Sequence, residues 1–271
     1  MNRNKLFLLL YILLYACTWS YAQVKILSWN VENLGKSKPD STLAFIAKTI
    51  KEYDIVALQE VVAGYGGAQA VARLADQLNQ TGAKWDYTIS NPTTSSSYKT
   101  ERYAYLWKTS KVKKIGEACL DENYAVEIDR EPYYCTFQYQ NNTFTLANFH
   151  AITKSKQPET EIKYFKFLPA QYNNKKLIFL GDFNCPQSHT VFNPLKKMGY
   201  QSAFINQKTT LKQQCNTTTC LASEFDNIWY NSQHFTIKNP EALLFYEAFD
   251  TLAEAKTISD HIPITVTLFV K

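Results

Sequence analysis

No apolar run in the 271 residues is long enough to cross a membrane. The longest, "LFLLLYILLYA" over 6–16, has 11 residues, where a spanning helix needs roughly 20. It follows Arg3 and Lys5 and leads into "CTWSYAQ", with small Ser20 and Ala22, so residues 1–22 read as a secretory signal cleaved after Ala22. The competing readings are an uncleaved anchor and cleavage before Cys17 with a lipid on that cysteine, which the bulky Tyr15 disfavours. No internal repeat or heptad run is present, which excludes solenoids and coiled coils. A strong charge of either sign is also missing. Losing residues 1–22 takes Arg3 and Lys5 from 29 basic residues and nothing from 24 acidic ones, so the net charge falls from +5 to +3. That permits a phosphate-bearing substrate without announcing one. Histidine is scarce, at 4, and none is spaced with Cys215 and Cys220 as a zinc site requires.

With 45% apolar and 20% charged residues, the rest has a globular profile, and residues 23–271 fit one domain. Five cysteines remain after the leader: Cys119, Cys135, Cys185, Cys215 and Cys220. An oxidising compartment, extracellular or periplasmic, allows one or two disulfides. Cys119 and Cys135 flank one segment, Cys185 is within reach of Cys215 or Cys220, and the pairing stays open.

"VKILSWN" reads as a strand. "PDSTLAFIAKTIKEY" sets Leu43, Ile46, Ala47 and Ile50 at helical spacing, with Asp40 or Ser41 as cap. "DIVALQE" is a buried strand, and "GGAQAVARLADQLNQTG" a helix with Val71, Leu74, Ala75 and Leu78 on one face. Strands follow at "WDYTI", "RYAYLWK", "YYCTFQY" and "TFTLANFH", the last two joined by a turn at Gln140, Asn141 and Asn142. "PETEIKYFKFL" is expected as a helix opened by Pro158, "KLIFLGDFN" as a strand and "HTVFNPLKKMG" as a short helix. Residues 206–220 read as a polar loop, before late strands at "DNIWY" and "HIPITVTLFV". Many strands with few helices predict two packed sheets with helices outside.

The polar residues fall at strand ends. Asn30, Glu60 and His150 each end a run, and Asp182 and Asn184 follow "LIFLG". Asp226 precedes "NIWY", and Asp260 and His261 precede "PITVTL". If the last two strands run antiparallel to the other four, all these residues share one rim. Clustered carboxylates raise each other's pKa unless a cation lies among them, and such oxygen donors suit Mg²⁺, Mn²⁺ or Ca²⁺. Two imidazoles can divide the work of base and acid. The set describes metal-assisted hydrolysis of a phosphate ester. Singly, each residue is as well explained as a cap or turn; their coincidence on one rim is what carries weight.

"WNVENLG", "DIVALQEV", "NFHA", "LGDFN", "FDNIW" and "SDHIPITVTL" resemble, in order and spacing, the motifs of the endonuclease/exonuclease/phosphatase superfamily. Within it, "ERYAYLW" and "REPYYCTF" are similar to segments of the deoxyribonuclease I group. The resemblance spans residues 23–271 and implies an α+β, four-layer sandwich: two packed mixed β-sheets flanked by helices. It implies that Glu60 and Asp260 hold a divalent metal near Asn30, with Mg²⁺ or Mn²⁺ as the ion. It pairs His150 with Glu101 and His261 with Asp226, has Asp182 and Asn184 orient water and phosphate, and has Asn30 and Arg130 meet phosphate. The implied protein is a secreted or periplasmic, monomeric endonuclease acting on DNA, without stable membrane association.

Departures from the family pattern are plain. The arginines that the family sets after the first asparagine and after the metal-binding glutamate are missing from "NVENLG" and "QEVVA". Phe225 and Asn227 flank Asp226 where the family has Tyr and Arg. "LKQQCNTTTC" has no aspartate, and Val126 stands at another expected calcium position, so a structural Ca²⁺ is left open, with a disulfide through Cys185 as a substitute. Two alternatives accompany the DNase reading: a phosphatase or phosphodiesterase of inositol phosphates or sphingolipids, and a non-catalytic binding or toxin subunit on the same scaffold.

Overall fold

The computed structural model describes residues 23–95, 99–172 and 176–271. The expected leader, 1–22, lies outside the described residues, as does Cys17. Among the described residues no helix is long and apolar enough to cross a membrane. The chain runs β1 (Gln23–Leu34), α1 (Asp40–Ile50), β2 (Ile55–Val62), α2 (Tyr65–Asn79), β3 (Trp85–Ile89), β4 (Glu101–Lys108), β5 (Lys113–Leu120), β6 (Tyr133–Tyr139) and β7 (Asn142–His150). It continues through α3 (Glu159–Ile162), α4 (Leu168–Gln171), β8 (Leu177–Asp182), α5 (Asn193–Lys197), β9 (Tyr200–Ser202), β10 (Asp226–Asn231), β11 (Phe235–Ala242), α6 (Leu252–Lys256) and β12 (Ile264–Val270).

The strands form two six-stranded sheets, ordered β11-β12-β1-β2-β4-β3 and β5-β6-β7-β8-β10-β9. Each is mixed, with one parallel pair at its centre: β1 with β2, and β7 with β8. The other neighbours are antiparallel, including β12 on β1 and β10 on β8. The polar ends of β1, β2, β7 and β8 therefore do meet the starts of β10 and of the segment before β12.

Side-chain alternation builds the layers. In β1, Val24 and Ile26 face the second sheet, where they meet Leu146, Ile178 and Leu180. Leu27, Trp29 and Val31 face the other way, onto Leu43 and Ile46 of α1 and Val71 and Leu74 of α2. Phe149, Phe179 and Trp229 cover the outer face of the second sheet, against Phe165, Leu168 and Leu195. The result is the expected helix–sheet–sheet–helix sandwich.

Several local expectations differ. The helix over "PETEIKYFKFL" breaks into α3, a 3₁₀ turn at Lys163–Lys166, and α4; Pro169, with no N–H to return to Phe165, sits in the first turn of α4. Asp40 is the first residue of α1 rather than its cap; its carboxylate takes the Arg73 guanidinium of α2. The edge strands β5 and β11 carry no apolar run to announce them: Lys113, Glu117, Lys238 and Asn239 are exposed. Cys185 does not pair. Cys215 bonds Cys220, while Cys185 and Cys135 are buried free thiols. Leu211 and Leu221, which bracket the bridge, pack in the core outside the first sheet, whereas Cys185 packs outside the second, so the sandwich separates them.

"LGDFN" has a steric reason for its glycine. Gly181 has φ +133°, and a Cβ there would lie 1.9 Å from the Phe149 carbonyl oxygen of the parallel neighbour β7. Gly181→Ala is expected to cost at least about 2 kcal/mol, read as a lower urea midpoint at unchanged slope.

Candidate active site

Asp182 is the centre. It ends β8, with His150 of β7 as its cross-strand neighbour on one side and Asp226 of β10 on the other. Its Oδ2 lies 3.4 Å from His150 Nε2 and 3.5 Å from His261 Nε2. The same oxygen accepts from Asn30 Nδ2 at 3.3 Å and Asn184 Nδ2 at 3.4 Å, while Oδ1 accepts the Asn184 N–H at 2.8 Å.

Each histidine has its own carboxylate behind it. His150 Nδ1 is 2.9 and 3.0 Å from the two Glu101 oxygens, and His261 Nδ1 is 2.7 Å from Asp226 Oδ2. All four residues are buried. Burial opposes the charged imidazole of His150, but Glu101 and then Asp182 outweigh it, against Arg130, and raise its pKa. At His261 burial again opposes the charge, and Asp226, Asp182 and Asp260 together lift the pKa well above its ordinary value.

Glu60 reaches the rim through a backbone irregularity. Its φ is +57°, and the pairing of β2 with β4 slips between Leu58 and Val61. Strict alternation sends Gln59 inward and Glu60 toward the helices. The bulge turns both to the same side: Gln59 meets Asn148 between the sheets, and Glu60 Oε1 accepts from Asn30 Nδ2 at 2.9 Å and stands 3.8 Å from His150 Nε2. Asp260 lies on the opposite flank, its Oδ1 4.0 Å from His261 Nε2. Arg130 is buried beneath His150. It donates to the His150 carbonyl at 3.0 Å and to the Ala151 carbonyl, with Nη1 3.8 Å from Glu101.

The sequence reading missed a supporting layer. The Tyr103 hydroxyl accepts the His150 N–H and donates to the Arg130 carbonyl, both at 3.1 Å. Ser259 Oγ donates to the Asn30 carbonyl at 2.6 Å and accepts the His261 N–H at 2.9 Å. Thr209, in the loop read as merely polar, takes the Asp226 N–H at 3.0 Å. Glu32 accepts the Asp260 N–H at 3.1 Å, and burial, with Asp260 and Glu60 nearby, raises its pKa. Lys38 is buried beside these acids and donates to the carbonyls of Thr257 and Ile258 at 2.9 and 2.7 Å. A serine inside "SDH" was a visible signal; Thr209 and Lys38 had none.

The description "Endonuclease/Exonuclease/phosphatase family" matches residues 27–261. The chain belongs to that family. It is 25% identical, over 98% of its own length and 76% of the other's, to a protein named Deoxyribonuclease from Thioalkalivibrio sp. (strain K90mix). It is 26% identical to Deoxyribonuclease-1 of Bos taurus, over 90% of this chain and 92% of that one. An endonuclease/exonuclease/phosphatase from Bacteroides vulgatus has the same fold at 14% identity, with a TM-score of 0.66 over 92% of this chain and 99% of that chain. As a member of the endonuclease/exonuclease/phosphatase family, the protein is placed among hydrolytic nucleases and phosphatases.

Asp182, Asp226 and His261 bring ligand atoms within 4.8 Å of one another. The 2.7 Å contact between His261 Nδ1 and Asp226 is a hydrogen bond, which commits that ring nitrogen to the carboxylate. Glu60 and Asp260, part-exposed on the flanks, are the freer oxygen donors.

Proposed function

We propose that this protein is a divalent-cation-dependent phosphodiesterase that cuts DNA by water attack. One observation carries the reading: two imidazoles, each backed through Nδ1 by a buried carboxylate, point Nε2 at the same Asp182 oxygen from 3.4 and 3.5 Å. One histidine takes a proton from the attacking water and the other gives one to the leaving 3′ oxygen. Glu101 and Asp226 fix the tautomers and favour the charged rings. Asp182 orients the water between the rings. Asn30 and Asn184, whose amides already converge on Asp182, donate to non-bridging phosphate oxygens. Two of Arg130's five N–H donors go to the carbonyls of His150 and Ala151, so it holds the end of β7 while its charge biases the phosphate site.

The donor set fits a hard cation. Glu60, Asp260 and the Asn30 amide offer oxygen; burial, and then the nearby Asp260 and Glu60, raise the pKa of Glu32, with Lys38 as the compensating cation. Mg²⁺ or Mn²⁺, when bound there, stabilises the charge that develops on the phosphate. The Cys215–Cys220 bridge supports export to an oxidising compartment, and it closes the loop "LKQQCNTTTC", which has no aspartate for calcium.

The test is supercoiled plasmid, an inositol phosphate panel and sphingomyelin, each with Mg²⁺ and then with chelator. The expected result is plasmid nicking that stops on chelation. Turnover of an inositol phosphate or sphingomyelin without nicking replaces the DNA reading with the phosphatase one.

A further inference from the structure

Beside His150 opens a cleft of about 420 Å³. Its lining includes charged Glu60, Glu101 and Arg130 and the uncharged stretch Val61, Val62, Ala63 and Gly64. Arg130 is buried and tied to carbonyls, and Lys99, at the mouth, pairs with Asp129 at 3.3 Å. The uncharged stretch continues directly into Tyr65, the most exposed aromatic side chain among the described residues, at 78%.

The backbone around Tyr65 is tightly held. A Cβ on Gly67 would sit 1.9 Å from the Val62 carbonyl oxygen, and one on Gly66 would sit 3.2 Å from the Lys36 backbone nitrogen. The Gly67 N–H closes the turn on the Gly64 carbonyl at 3.1 Å. From Ala63 to Gly67, Tyr65 is thus the single large side chain, mounted on a turn packed against exposed Lys36. Exposed aromatic faces hold unpaired nucleotides by stacking, with cations taking the backbone charge. Duplex grooves are held mainly by cations, and the stretch Val61 to Gly64 carries none.

Resting on the DNA-cutting reading above, we propose that Tyr65 is a stacking platform for an unpaired nucleobase flanking the scissile phosphate, so that single-stranded DNA is cut in preference to regular duplex. The experiment compares the purified protein with Tyr65→Ala and Tyr65→Phe on one labelled oligonucleotide, single-stranded and annealed, and on bis(4-nitrophenyl) phosphate. The expected result is a wild-type preference for the single strand. Tyr65→Ala loses about tenfold in kcat/KM on it, mainly through KM. Tyr65→Phe retains the rate, and both variants match wild type on the small diester. Unchanged single-strand cleavage by Tyr65→Ala, an equal loss on the small diester, or a wild-type preference for duplex overturns the platform and leaves the DNA reading intact. Hydrolysis of the small diester with no cleavage of either oligonucleotide overturns the DNA reading, and the platform with it.

Discussion

Replacing His150 or His261 by alanine is expected to lower the rate of plasmid nicking by about 10²–10⁴-fold. Each ring is held between Asp182 and its own carboxylate, and the other imidazole on Asp182 has its own proton to move. The two variants differ in what they leave behind. Without His150, Glu101 still faces Arg130 at 3.8 Å. Without His261, Asp226 is stranded as a buried carboxylate, which carries a stability penalty that His150→Ala escapes. His261→Ala combined with Asp226→Asn removes that charge and isolates the chemical loss. If the two rings act on one proton-transfer sequence, the double histidine variant loses scarcely more than either single one. Circular dichroism and thermal unfolding check the fold in each case. A folded variant with full activity removes its histidine from the mechanism.

The readable part of the site was readable for a physical reason. A buried strand such as "LIFLGDFN" can change from apolar to charged only where it leaves the core, so Asp182 and Asn184 marked a rim. His150 after "TFTLANF" and Asp226 before "NIWY" did the same. Glu60 was placed on that rim by its position at a strand end, yet alternation alone sends its side chain to the wrong layer. A left-handed φ of +57° corrects this, and no local rule requires a glutamate to adopt it. The residues behind the site were harder to see. Thr209 and Lys38 act through backbone groups that are distant in sequence, and nothing nearby distinguishes them from surface polar residues. The exposed edge strands β5 and β11 were missed because apolar periodicity signals burial, and they have little of it. Gln59 and Asn148 did leave a trace: each is a polar residue at an inward position of an otherwise apolar strand.

That pair carries the second large effect. Gln59 and Asn148 are fully buried between the sheets, one residue before Glu60 and two before His150. Gln59 Nε2 donates to Asn148 Oδ1 at 2.5 Å and to Ser28 Oγ at 3.1 Å, and Asn148 Nδ2 donates to the Leu58 carbonyl at 3.0 Å. Asn148→Leu leaves the Gln59 amide and the Leu58 carbonyl short of partners. The expected cost is about 3 kcal/mol, or roughly 6–12 °C in Tm for a chain of this size. The Gln59 side-chain oxygen, Oε1, already has no hydrogen-bond partner, so the wild-type pair bears part of such a cost. Gln59→Leu with Asn148→Leu removes most of the stranded groups together and is expected to recover most of the lost stability. Activity should not recover with it. Apolar side chains fill the space but set no fixed alignment between β2 and β7, and that alignment holds Glu60 3.8 Å from His150. Nicking rates and unfolding midpoints across the two single variants and the double one separate these effects. If the rate follows stability through all three, the pair only supports the fold; if stability returns and the rate stays low, it sets the register on which the acid–base geometry depends.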